Sequence, residues 1–69
     1  MTLGEYLKQK RLEKNISAYK LAQDFKMANR NIQRWEANES LPNAKYIFML
    51  IDYLELDENI VKKILLNQD

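Results

Sequence analysis

Phe25-Lys26-Met27-Ala28-Asn29-Arg30-Asn31-Ile32-Gln33-Arg34-Trp35 is the stretch on which the reading of this 69-residue chain turns. Ala28, Ile32 and Trp35 recur at i, i+4 and i+7, which makes one side of a helix apolar. The opposite side shows Asn29, Arg30, Gln33 and Arg34, with Asn31 on its flank, and no carboxylate occurs from Phe25 through Trp35. A plain solvated face is the alternative, but such a face ordinarily includes glutamate for i,i+4 pairing with Lys or Arg. Arginine makes paired hydrogen bonds to guanine edges in the major groove, and Asn or Gln makes them to adenine. The stretch therefore reads as a helix chemically suited to duplex nucleic acid.

Working outward, Phe25-Lys26-Met27 leaves room only for a tight turn. Ahead of it, Ser17 is an N-cap for a short helix whose inward residues are Leu21, Ala22 and Phe25. Further back, Leu3, Leu7 and Arg11 recur at i, i+4 and i+8 with Tyr6 and Leu12 beside them, predicting a first helix over residues 3–14. Downstream, Ala37 to Pro42 reads as a loop, because the residue before proline avoids the helical region. Asn43 caps a fourth helix over 44–54, and Asp57 caps a fifth carried by Ile60, Val61, Ile64 and Leu65. One glycine and one proline leave little hairpin chemistry, so no sheet is expected. The expected fold class is all-α: a compact five-helix bundle, with residues 1–69 forming one domain.

Hydrophobic residues at 46% and charged ones at 30% exclude a disordered chain. The absence of cysteine and histidine removes disulfides, thiol nucleophiles, imidazole catalysis and the usual zinc sites, so no metal or cofactor is expected. Asp57-Glu58, Ser17 and Ser40 are the remaining catalytic candidates. No histidine serves the serines as a base, and no glycine-rich loop could hold phosphate, so an enzyme is not expected. No apolar run reaches the ~20 residues that span a bilayer, and no basic-then-apolar leader opens the chain, so the expected setting is cytoplasmic, away from membranes. The net charge of +1 conceals an asymmetry. Residues 1–36 hold eight Lys/Arg against four Asp/Glu, while residues 37–69 hold three against six. A basic front and an acidic rear suit a domain that meets a polyanion with one face.

From Leu3 to about Ile60 the chain resembles the helix-turn-helix domains of the phage-repressor and Cro family. The residues that carry the likeness are Leu3-Gly4 and Arg11, then Ser17 with Leu21-Ala22, Ile32 with Trp35-Glu36, and Leu41-Pro42. The resemblance implies that the second helix lies over the DNA backbone and the third enters the major groove. It implies base reading by Asn29, Arg30, Gln33 and Arg34. It implies phosphate contact at Asn31 and in the Asn38–Ser40 loop, and at Ser17, Ala18 and Tyr19 where the second helix opens. It also implies a salt bridge between Arg11 and Glu36. The residues agree, since an unpaired Arg11 on the Leu3/Leu7 face would be costly unless it snorkels to water.

Departures from the pattern carry information. Ala18 stands where the family often has a phosphate-clamping glutamine. Lys26 must take a left-handed conformation usually given to glycine, at roughly 1 kcal/mol, although it then lies near the expected DNA backbone. Ala28 cannot cap the third helix. Lys20 replaces the acidic residue of a capping box and adds positive charge on the DNA side. Glu39 is mildly unfavourable beside phosphate.

The fourth helix is unusually apolar. Ala44, Ile47, Leu50, Ile51 and Leu54 form one inward stripe, with Phe48 at its edge and Tyr46, Met49 and Tyr53 off it. Core under the fifth helix or a partner surface would each account for these last three, and a dimer interface is the functional expectation. The chain is thus expected to be a sequence-specific regulator of transcription that binds double-stranded DNA. It is expected to be repressor-like, bacterial or phage in origin, and homodimeric. The alternative is a protein-interaction module of the same fold, such as an antitoxin or antirepressor that holds a partner protein.

Overall fold

A helix starts most readily where the chain supplies an oxygen for its first free N–H groups. In the computed structural model, which describes residues 1–67, this happens at four of the five helices: α1 (Leu3–Glu13), α2 (Ala18–Asp24), α4 (Ala44–Leu54) and α5 (Glu58–Asn67). Thr2 and Glu5 form a reciprocal capping box at α1. Ser17 Oγ accepts from the Lys20 N–H at α2. Asn43 Oδ1 accepts from the Tyr46 N–H at α4. At α5, Asp57 Oδ1 accepts from the N–H groups of Asn59 and Ile60. The exception is α3 (Asn29–Glu36), where Ala28 stands at the cap and offers no side-chain hydrogen bond.

With a single glycine in the chain, other residues must take the left-handed conformation that ends helices. Asn15, Lys26, Asn38 and Glu55 do so, with φ of 58°, 56°, 62° and 55° respectively, just beyond α1, α2, α3 and α4. Asparagine tolerates this region; lysine and glutamate occupy it at some cost.

Burial follows the apolar faces. Leu3, Tyr6 and Leu7 from α1 meet Leu21, Ala22 and Phe25 at α2, Ile32 and Trp35 from α3, and Leu50 and Leu54 from α4. Leu56, Val61 and Ile64 close the core from below, and the buried Tyr6 hydroxyl accepts a hydrogen bond from the Asp57 N–H at 3.1 Å. α2 and α3 pack on each other, and α1 runs against α3, α4 and α5. All described residues are helix, turn or loop, as the all-α reading expected.

Four inward assignments need correction. Ala44 and Ile60 are exposed, and so are Leu12 on α1 and Ala28, which stands at the cap before α3 and not on its apolar side. The inward face of α4 is centred on Leu50 and Leu54 and turned toward α2 and α3. Tyr46 stacks on Phe25 at 6.2 Å and lies 5.6 Å from Trp35, while Tyr53 meets Phe25 edge-on at 5.4 Å. Aromatic pairs of this kind add stabilisation beyond the area that they bury, so they win the orientation of α4. Ile47 and Ile51 end half-buried, and Phe48 stands 67% exposed.

Candidate nucleic-acid interface

The α2–turn–α3 unit is closed by local hydrogen bonds. The Lys26 N–H donates to Gln23 O at 3.0 Å and the Met27 N–H to Ala22 O at 2.9 Å, so the left-handed Lys26 reverses the chain within a few residues. Leu21, Ala22, Phe25, Ile32 and Trp35 bury the inner faces of both helices. The outer face of α3 is thereby determined by periodicity: Arg30, Asn31, Gln33 and Arg34 are all exposed. Arg30, Gln33 and Arg34 line a shallow polar groove of about 330 Å³ together with Ala37 and Glu39. Among the described residues no carboxylate pairs with Arg30, Arg34 or Lys26, whereas Lys10, Arg11, Lys14 and Lys20 each have an acidic partner.

The other end of α3 is tied down firmly. Arg11 Nε and Nη2 donate to the two carboxylate oxygens of Glu36 at 2.7 and 3.0 Å, and Nη1 donates to Ile16 O at 2.8 Å. Both side chains are about nine-tenths buried, at 9% and 10% exposure, so this is a desolvated, two-pronged pair. A second tie lies just past the helix. Asn38 Oδ1 accepts from the Gly4 N–H at 3.0 Å, and its Nδ2 donates to Thr2 Oγ1 at 2.9 Å. Gly4 makes this possible. A Cβ there would stand 2.5 Å from Glu36 O and 2.6 Å from Trp35 O, so only glycine lets α1 approach the end of α3 so closely.

The remaining sequence-derived positions fall as follows. Asn29 is half-buried and its Oδ1 is enclosed without a donor, so it is less available than its neighbours on α3. Ser17, Tyr19 and Lys20 are exposed at the start of α2, and Ala18 is half-buried against the core. Lys20 Nζ is shared with Asp24 at 3.2 Å, and the Tyr19 hydroxyl accepts from Gln23 Nε2 at 3.1 Å. Lys26, Asn31, Asn38 and Ser40 are exposed, but the Asn38 amide is engaged with α1. Tyr46, Met49 and Tyr53 are half-buried and pack on the core of their own chain. The Tyr53 hydroxyl also donates to Asp24 on α2, which with burial holds the phenol up at about 12. The same bond, then Lys20, holds the Asp24 carboxyl below its ordinary value.

Two features escaped the sequence reading. The tie through Thr2, Gly4 and Asn38 joins residues more than thirty positions apart, and the lone glycine of the chain was its only visible signal. Glu39 was read only as unfavourable near phosphate; it lines the same groove as Arg30 and Arg34.

A family model described as a helix-turn-helix matches residues 7–61, from the middle of α1 into α5. The chain belongs to the helix-turn-helix family. That family comprises DNA-binding regulatory domains, so DNA is the partner of this chain and α2–turn–α3 is its helix-turn-helix. No curated protein and no solved structure gives a significant match to it. No helix among the described residues is long and apolar enough to cross a membrane.

Proposed function

We propose that this helix-turn-helix protein is a sequence-specific, repressor-like regulator that reads duplex DNA with α3 in the major groove. The observation that carries this is the exposed face of Arg30, Gln33 and Arg34, whose two guanidinium groups have no acidic partner among the described residues. Side chains already neutralised would have to break a pair to meet DNA; these do not. Arg30, Gln33 and Arg34 read base edges, with Asn29 contributing its amide Nδ2. Lys26, Lys20, Tyr19, Asn31 and Ser40 hold phosphate, with Ser17, Ala18 and the Asn38 backbone close by. The protein works as a homodimer on a two-fold operator, since paired half-sites mirror paired subunits.

The test is selection of bound sequences from random duplex DNA, followed by fluorescence anisotropy on the selected site. Arg30→Ala or Gln33→Ala should cost about 1–3 kcal/mol on that site and flatten its preference over mutated sites. Lys26→Ala should weaken all duplexes alike and reduce the salt slope by about one unit. If neither Arg30→Ala nor Gln33→Ala changes affinity or preference, α3 is not the reader. A protein-interaction module is then favoured, for which the exposed Phe48 on α4 speaks directly.

A further inference from the structure

Of the four cations that the proposed function sets against DNA, Lys20, Lys26, Arg30 and Arg34, only Lys20 has an acidic partner among the described residues. Its Nζ donates to Asp24 Oδ1 at 3.2 Å. The other oxygen of the same carboxylate, Oδ2, accepts from the Tyr53 hydroxyl of α4. Asp24 is thus held from two helices, one oxygen by each. Tyr53 is itself fixed, because its ring meets the buried Phe25 edge-on at 5.4 Å.

The Lys20–Asp24 pair does little for α2 itself. Lys20 lies in the first turn and Asp24 is the last residue, so each charge opposes the helix dipole at its own end. Lysine ahead of its acid at i,i+4 is also the weaker order of such a pair. Both side chains reach solvent, where ion pairs add little to stability. The larger effect is on what the protein presents to a polyanion. A lysine that neutralises a phosphate releases a counterion and so strengthens binding to any duplex. Lys20 must give up Asp24 first, and the carboxylate left behind repels the phosphates. A loose aspartate would swing away from them. Asp24 is kept beside Lys20, because Tyr53 holds its second oxygen.

We infer that Asp24 is a positioning residue that restrains Lys20 from the DNA backbone, and that Tyr53 keeps Asp24 in that place. The restraint lowers affinity for every duplex and leaves the choice among sequences to Arg30, Gln33 and Arg34. The inference rests on the proposed placement of Lys20 at phosphate. It does not need α3 to read bases, since phosphate contacts carry no sequence information directly.

Fluorescence anisotropy of the full chain across a salt series tests it, on the selected duplex and on one of unselected sequence, with circular dichroism confirming that each variant folds. Asp24→Asn keeps the shape and removes the charge. It should tighten both duplexes alike and steepen the salt dependence by about one unit of slope, so that the gain over wild type grows about threefold between roughly 200 and 50 mM salt. Tyr53→Phe should shift affinity and slope the same way by a smaller amount, and should add nothing to Asp24→Asn. Lys20→Ala should weaken both duplexes and remove most of the gain from Asp24→Asn. A wild-type slope in Asp24→Asn, a gain that survives intact in Lys20→Ala, or a Tyr53→Phe that does not tighten binding would overturn the inference. The two readings fail separately. If Arg30→Ala and Gln33→Ala leave preference unchanged, base reading falls, while the slope of Asp24→Asn on the unselected duplex still decides the restraint. If Lys20→Ala is neutral on every duplex, Lys20 is not at phosphate and the restraint falls with base reading intact.

Discussion

Gly4→Ala sets two physical effects against each other, and the structure decides the sign. In an exposed helix, alanine in place of glycine stabilises by up to about 1 kcal/mol, and less in the first turn, where Gly4 lies. Against this, the new methyl group would stand 2.5 Å from Glu36 O, 2.6 Å from Trp35 O and 2.8 Å from Asn38 Oδ1. The Asn38 side chain can swing away, but that breaks its hydrogen bond from the Gly4 N–H at a net loss of about 1 kcal/mol. The two carbonyls can yield only if the end of α3 moves, and forced overpacking costs about 1–3 kcal/mol. The net expectation is a destabilisation of about 1–3 kcal/mol, which in a domain of this size lowers Tm by roughly 5–20 °C. Urea denaturation followed by circular dichroism at 25 °C measures it. Asn38→Gly is the companion, because it keeps the left-handed backbone and removes the Oδ1 obstacle. With the carbonyl conflict still present, Gly4→Ala should remain destabilising in that background. Equal or higher stability of Gly4→Ala in either background would refute the close approach of α1 to α3.

Removing one partner of the buried Arg11–Glu36 pair, by Arg11→Met or Glu36→Gln, should cost about 3–5 kcal/mol. A double-mutant cycle by urea denaturation should show strong coupling, and a coupling energy near zero would refute the pair. Ala28→Ser should supply the oxygen that α3 lacks at its start and raise stability by about 0.5–2 kcal/mol, with an unchanged Tm as the contrary result. Tyr53→Phe removes the bond to Asp24, and its effect should depend on pH at both ends. The phenol is raised in the folded chain to about 12 from 10.0, so its stabilisation is whole below pH 10 and lost as pH rises through about 12. The Asp24 carboxyl is lowered, first by Tyr53 and then by Lys20, so its share is present above the ordinary carboxylate value and lost as pH falls through the folded one. Denaturation midpoints of wild type and Tyr53→Phe should therefore converge in strong acid and strong alkali, and a gap constant with pH would count against the bond.

How far residues could be placed from sequence depended on how sharply each helix's apolar residues pointed in one direction. In α3 they are few and strictly spaced, so Ile32 and Trp35 had only one way to face and the exposure of Arg30, Gln33 and Arg34 followed. The left-handed Lys26 and the uncapped Ala28 were legible because they depart from the pattern of the family that the chain resembles, glycine in the turn and Ser or Thr at the cap. In α4, nine of the eleven residues are apolar, and a helix apolar nearly all round carries little information about which side is inward. What settles it is contact with Phe25 and Trp35, from other helices. Ala44 was misplaced, and Tyr46 and Tyr53 were assigned to a partner surface, because that contact is long-range. Thr2 is a different case: Thr2-Leu3-Gly4-Glu5 carries the signature of a capping box, and the signal went unread.

The two ends of α3 are built on opposite terms, and this links the fold to its task. At the C-terminal end every polar group with a long-range role is satisfied: Glu36 by both prongs of Arg11, and Asn38 by Gly4 and Thr2. At the N-terminal end the local rules are broken together. Lys26 is left-handed, Ala28 leaves the helix uncapped, and Asn29 Oδ1 is enclosed without a donor. The left-handed Lys26 and the uncapped Ala28 each carry a local cost. A helix clamped at one end and incompletely satisfied at the other keeps its direction while leaving free energy to be recovered at the unsatisfied end. Natural proteins concentrate such inconsistencies at functional sites. Here they lie at the end of α3 that carries Arg30. The stability given up at the turn therefore coincides in space with the face that the proposed function assigns to DNA.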